Sequence, residues 1–312
     1  FDFDAMIAPF RGPDGTWPKE IPMALAAQHA LSALEGTLGL LGNPVGLKSF
    51  RPFHSTGEDF LHNFIGMCGV PMDLSPAFPA GAGTLFLAET AAADPAITER
   101  IRERLSAGAS VIITSGLLQA LRDRGIGDIV ELDVTGKKTA ASDFVAGWAR
   151  PVKSEKPILL PQIAYRTNDS WEEVSFLSNG MGWPLLHEAD YASGRLYVLA
   201  VPDNPGDLYD LPAGVLNRIR QVLSAGLPIR MEGPSRISLF LYDNGVCVAH
   251  SFRDEPSDIV LVGDGRVKSL FDADSGLTVS GEARKDFRGR ETGERAYPVT
   301  LKPHSFRVFR CE

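Results

Sequence analysis

The residues able to do chemistry gather at the carboxyl ends of four apolar runs, Val45–Phe50, Val70–Leu74, Thr84–Ala88 and Ser110–Thr114. Arg51, His54, Ser55 and Glu58 follow the first run, Glu89 and Thr90 the third, and Ser115 the fourth. A serine on a strand-to-helix turn presents its hydroxyl and needs an adjacent base to attack at neutral pH. One reading therefore makes Ser115 a nucleophile, His54 its base and Glu58 or Glu89 the orienting carboxylate of a stand-alone hydrolase. Ser115 lacks a glycine two positions earlier, and a Ser-Gly pair at a strand end also serves as a cap and turn. A second reading is a carbohydrate-binding module. Arg51, Glu58, Glu89, Asn168 and Asp169 would bond hydroxyls, with Arg51, Ser55, Thr90 and Trp183 as the ligand-binding set. The same residue types are common as surface salt-bridge partners.

Two sets of residues suggest no metal or cofactor. Asp203, Asp207 and Asp210 lie in a loop with proline and glycine and lack metal-ligand spacing. Neither GxxxxGK[ST] nor GxGxxG occurs, so no phosphate-cradling loop is expected. Cys68, Cys247 and Cys311 are far apart and odd in number, matching neither a disulfide framework nor a zinc pattern.

The elements that would position the rim are legible. Helices are expected near 59–67 and 95–107, the first with Ser55 or Thr56 as N-cap and Glu58 and Asp59 in its first turn, the second opened by Asp94-Pro95. Leu117–Arg124 reads as a short helix and Asp128–Leu132 as a strand. Strands alternating with helices point to a flavodoxin-like α/β unit, a parallel sheet with helices on both faces. In such sheets ligands sit beyond the carboxyl ends of the strands. From Thr135 to Lys156 the pattern weakens toward loop. Ile158–Tyr165 and Gly194–Pro202 return as strands, and 211–226 closes the unit as a helix. After Pro228 short strands follow one another, opening with a hairpin whose Asn244-Gly245 suits a type I′ turn. A small C-terminal antiparallel β-sandwich results. The expected domains are an N-terminal arm and helix over 1–43, an α/β domain over 44–230 and a sandwich over 231–312. His29, on the helix of residues 22–41, reads as a packed histidine. Phe1, Phe3, Phe10 and Trp17 suggest an arm that packs on something.

Composition bounds the partners. The chain has 312 residues, 44% hydrophobic and 22% charged, with a formal charge of −8. No Lys/Arg block could neutralise a run of phosphates, which argues against nucleic acid. No run of about 18 apolar residues exists, so no membrane partner is expected. Aromatic loops holding Trp171, Trp183 and Tyr191 would suit an interface in a homo-oligomer.

The 44–226 region resembles the class I glutamine-amidotransferase-like fold, in the form used as the trimerisation domain of bacterial β-galactosidases and related glycoside hydrolases. The resemblance is carried by the Val45 strand, Arg51-Pro-Phe-His-Ser-Thr-Gly-Glu-Asp59, Thr84-Leu-Phe-Leu-Ala-Glu89, the Asp94-Pro95 helix, Val111-Ile-Ile-Thr-Ser-Gly116 and Gly194-Arg-Leu-Tyr-Val-Leu199. Val299-Thr-Leu-Lys-Pro-His-Ser-Phe-Arg-Val-Phe309 is similar to the closing strand of the sandwich that ends many glycoside hydrolases. Active amidotransferases set a cysteine in a G-x-C-x-G turn. Here that turn reads Ile113-Thr114-Ser115-Gly116, and His187-Glu188 is adjacent where the family spaces its pair. The resemblance thus implies an oligomerising, non-catalytic accessory region without amidotransferase activity. It also implies that the two catalytic carboxylates of such an enzyme lie outside these residues, and that a carbohydrate is the possible ligand.

Overall fold

The computed structural model describes residues 11–16, 22–165, 170–286 and 288–312. The chain divides into two compact units, 1–43 and 44–312. The first contains helix α1 (Pro22–Leu38), on which Leu31, Leu34 and Leu38 are exposed. Phe1, Phe3, Phe10, Trp17 and the His29 side chain lie outside the described residues, as do Asn168 and Asp169.

The second unit opens with β1 (Pro44–Val45) and β2 (Leu47–Phe50), then α2 (Leu61–Met67), β3 (Met72–Ser75) and β4 (Thr84–Leu87). There follow α3 (Ile97–Ser106), β5 (Ser110–Thr114), α4 (Ser115–Ala120), β6 (Leu132–Ala146), β7 (Val152–Tyr165), β8 (Ser170–Ser178), β9 (Met181–Tyr191), β10 (Gly194–Leu199) and α5 (Ala213–Leu223). The nine strands β2–β10 form one sheet in the order β3-β2-β4-β5-β10-β9-β8-β6-β7. From β3 to β10 neighbours pair in parallel, and from β10 to β7 they are antiparallel. The chain is therefore α/β with a mixed sheet. The expected flavodoxin-like parallel sheet with helices on both faces is not supported, because four antiparallel strands extend one side.

The mismatch has a local cause. β6 and β7 run 15 and 14 residues, yet Thr135–Lys138 of β6 and the start of β7 are exposed and charged, with Lys137, Lys138, Lys153, Glu155 and Lys156. Solvated strands carry no apolar stripe, so the stretch from Thr135 reads as loop. Their ladder is interrupted there, with register shifts between Val134 and Lys138 and between Ala141 and Asp143, and resumes on either side. The strand expected over Asp128–Leu132 is a 3₁₀ turn, Ile126–Asp128, leading into β6. Trp171, Trp183 and Tyr191 belong to strands β8 and β9, not to loops.

Apolar spacing predicts the buried faces of α3 and α5 correctly, whereas Leu34 and Leu38 of α1 and Phe60 ahead of α2 are exposed. Ile97, Ile101 and Leu105 of α3 and Val215, Leu216, Ile219, Val222 and Leu223 of α5 are buried. They join one core cluster with the parallel strands, including Leu85, Phe86, Val111 and Ile113.

The remaining strands are β11 (Ile229–Glu232), β12 (Ile237–Tyr242), β13 (Val246–Ser251), β14 (Ser257–Gly263), β15 (Leu270–Asp272), β16 (Leu277–Val279), β17 (Glu282–Lys285), β18 (Glu291–Leu301) and β19 (Phe306–Cys311). They make a β-sandwich of two antiparallel sheets, β1-β12-β13-β19-β15-β16 and β11-β14-β18-β17, over a second core. β1 pairs with β12, so the strand just ahead of β2 completes the sandwich sheet. The β12–β13 turn is not type I′: Gly245 has φ 80 but Asn244 is not left-handed. The Gly245 N–H donates to the Tyr242 carbonyl at 3.1 Å, a type I turn closed by a left-handed glycine.

Candidate functional site

The rim begins where β2 ends. The Arg51 guanidinium donates to Asp59 at 2.8 Å, bracing the loop between them. Within it the Ser55 Oγ donates to the Pro52 carbonyl at 2.6 Å, so Ser55 stabilises a turn and does not cap α2. Helix α2 instead starts after Phe60, with no side-chain cap. His54, Glu58 and Phe60 have φ of 59, 46 and 65, left-handed values that non-glycine residues rarely adopt. Such strain clusters where surrounding contacts over-determine the backbone. Gly57 sits among them with φ 112, and a Cβ there would meet the Glu89 side chain at 2.8 Å.

The contorted loop turns Glu58 inward. Its Oε2 accepts the Thr114 hydroxyl at 2.6 Å and the Glu89 N–H at 2.8 Å. A Cβ on Gly116 would lie 2.4 Å from Glu58 Oε1, so only glycine admits the carboxyl. Burial pushes the Glu58 pKa up, and the nearby Glu89 charge adds to this. The Thr114, Glu89 N–H and Gly116 N–H bonds pull the other way. Glu58 thus belongs to the start of α4, not to the first turn of α2 as expected.

Ser115 is buried, and its Oγ accepts the Val201 N–H at 3.0 Å. Thr114, one residue earlier, caps α4 by accepting the Leu117 N–H at 3.1 Å. His54 is exposed on the loop, and among the described residues no hydrogen bond joins it to Ser115. The rim therefore brings Glu58, Glu89 and Thr114 together and leaves His54 outside. Thr90 is buried, and its hydroxyl has no hydrogen-bond partner among the described residues. Trp183, on β9, is half-buried against the main core and separated from β5 by β10. Thr114 and Gly116 are the participants that sequence reasoning missed. Both lie in the quoted Thr114-Ser115-Gly116 turn, where Ser115 drew attention by its reactivity.

A second polar cluster lies in the antiparallel part of the sheet. Glu173 accepts the Trp171 indole N–H at 2.9 Å and pairs with Arg218. Glu188 is buried, and its carboxylate lies 3.4 Å from the Arg195 guanidinium. Burial raises the Glu188 pKa. The visible signal is a His-Glu doublet inside an otherwise apolar strand. The acidic loop is used up in pairs: Asp203 with Lys138 at 2.5 Å, Asp207 with the Asn204 amide at 3.0 Å, Asp210 with Lys156 at 3.8 Å. Among the described residues no group of three His, Cys, Asp or Glu could hold a metal ion. No helix among them is long and apolar enough to cross a membrane.

A family model described as the second domain of the uncharacterized protein SSO3021 matches residues 42–204, over half of the chain. The chain belongs to this family. Residues of this SSO3021 second-domain family include the whole rim. A further model, the C-terminal domain of probable glycosyl hydrolases, matches residues 228–311, the sandwich. No curated protein matches the chain in sequence.

Among solved structures, α-L-fucosidase isoenzyme 2 from Paenibacillus thiaminolyticus is similar over 90% of this chain and 51% of its own, at 13% identity and TM-score 0.52. A β-galactosidase from Bacillus circulans sp. alkalophilus matches 86% of this chain and 41% of its own, at 12% identity and TM-score 0.45. A β-galactosidase from the Antarctic haloarchaeon Halorubrum lacusprofundi matches 86% and 40%, at 12% identity and TM-score 0.45. The chain spans about half or less of the length of these proteins. At such identities the likeness is one of fold. The glycosyl-hydrolase model bears on the sandwich residues 228–311 alone.

Proposed function

We propose that residues 44–312 form a non-catalytic accessory and oligomerising region of a carbohydrate-active enzyme, without amidotransferase activity. On this reading 44–230 is a glutamine-amidotransferase-like domain of the β-galactosidase trimerisation type, followed by a sandwich over 231–312. The observation carrying the proposal is that Glu58 and Ser115 of the strand-end rim are taken up by neighbouring groups of the fold. Glu58 fills the space above Gly116 and is held by Thr114 and the Glu89 N–H. The Ser115 hydroxyl accepts a main-chain N–H and is buried. A nucleophile must reach a substrate, and a base must reach the nucleophile. The burial of Ser115 and the exposure of His54, with no hydrogen bond between them among the described residues, support this reading.

The same loop offers an interface. Phe53 and Phe60 are 78% and 67% exposed beside the folded-in Glu58. Aromatic residues of this kind are enriched at interface cores. Sedimentation velocity on the native gene product should give a homo-oligomer. The double variant Phe53→Ser/Phe60→Asn should shift it toward monomer, with asparagine chosen because it tolerates the left-handed backbone. A native protein that is monomeric at micromolar concentration would remove the oligomerising half of the proposal.

A further inference from the structure

A cleft of about 420 Å³ lies between β7, the turn ahead of α5, and the sandwich segments at 234–236 and 253. That volume falls within the range of small-ligand sites, roughly 300–1,000 Å³. Its charge is unlike that of the chain. The whole sequence carries −8, yet Lys156, Arg236 and Arg253 converge on this space. Asp210 is the acid facing them from the turn, 3.8 Å from Lys156. Glu155 stands exposed at the edge.

The two arginines are positioned and left without counter-ions. Arg236 has φ 58, and its guanidinium lies over the Tyr209 ring at 5.6 Å. The segment before it is pinned, because buried Arg220 donates to the carbonyls of Gly233 and Pro234 at 2.6 and 2.9 Å. The Arg253 Nε is buried and has no hydrogen-bond partner among the described residues. Its neighbour Asp254 is taken by His304 at 2.8 Å. Among the described residues neither Arg236 nor Arg253 forms an ion pair, whereas Arg230, Arg266, Arg284 and Arg307 of the same sandwich all do. An uncompensated guanidinium with a desolvated nitrogen is a strong receptor for a planar or tetrahedral oxyanion, which it can bind through two parallel N–H groups.

We propose that this cleft binds a small ligand through an oxyanion, either free phosphate or the carboxylate of an acidic sugar. The proposal is independent of the accessory role argued above. Isothermal titration of the full chain with inorganic phosphate, galacturonate and neutral galactose tests it and separates the two sources. At least one anion should bind, and galactose should bind far more weakly. Tighter binding of galacturonate assigns an acidic sugar, and binding of phosphate alone assigns the free ion. Arg253→Gln and Arg236→Asn, each with its melting temperature checked, should weaken the bound anion about tenfold, the loss of one charge-assisted contact. Three results would overturn the proposal: no heat with either anion, equal affinity for galactose, or anion affinity unchanged in both variants.

Discussion

Arg220 is the largest fully buried side chain, and its guanidinium links three segments. It donates to the carbonyls of Cys68 at the end of α2 and of Gly233 and Pro234 at the start of the sandwich. Burial lowers its pKa to about 10, still charged at neutral pH. Arg220→Met leaves three carbonyls short of a donor and should cost about 3 kcal/mol in urea unfolding. His62 behaves differently. It is buried against Ser49, 2.8 Å from the hydroxyl, and burial lowers its pKa from 6.5 to about 4. The unfolded chain takes up this proton first, so stability should fall as pH drops from 6.5 toward 4. His62→Gln should flatten that slope in pH-dependent melts. Among thiols, Cys68 is pushed up to about 12 by burial, and Cys247 is raised mainly by its hydrogen bond with Cys311. Cys311 is half-exposed and lowered by the same bond. Iodoacetamide on the folded protein should therefore label Cys311 first, as read by peptide mass spectrometry. These roles were only partly legible. Cys68 at a helix end is a sequence-level reading, but its contact with Arg220, far along the chain, is created by the fold. Glu58 is visible as a rim carboxylate, while its inward turn depends on three left-handed residues that no periodicity encodes.

At the scale of elements, the helices and parallel strands follow from apolar spacing. Close approaches then fix their separation. Gly194 opens β10 beneath the end of α3, and a Cβ there would lie 2.5 Å from the carbonyl oxygens of Leu105 and Ala109. Its φ is not left-handed, so the requirement is for space. Gly194→Ala should destabilise by about 1–3 kcal/mol in thermal or urea melts, the range for overpacking. An unchanged midpoint would mean that helix and strand can separate freely. Of the long β6–β7 hairpin the sequence shows only Ile158–Tyr165, because the stretches around Lys137-Lys138 and Lys153-Ser-Glu-Lys156 are solvated and charged. That charge has a use: β7 is the edge of the nine-stranded sheet, and Lys153, Glu155 and Lys156 discourage another strand from pairing there.

At the scale of the molecule, residues 44–312 form one compact unit although they contain two cores. β1 enters the sandwich before the chain turns into β2, and Arg220 ties α5 to the sandwich entrance. Calorimetry should accordingly show the two cores melting in one transition. The central claim is that the strand-end rim serves structure and not turnover. On the proposed reading its most direct test is kcat of the native gene product on aryl glycosides, with and without Glu58→Gln and Glu89→Gln, circular dichroism confirming the fold. The account predicts a kcat unchanged within about twofold for either variant, since a group outside the reaction adds nothing to transition-state binding. A loss of about a hundredfold or more in a folded variant would contradict it and place the chemistry at Glu58 and Glu89.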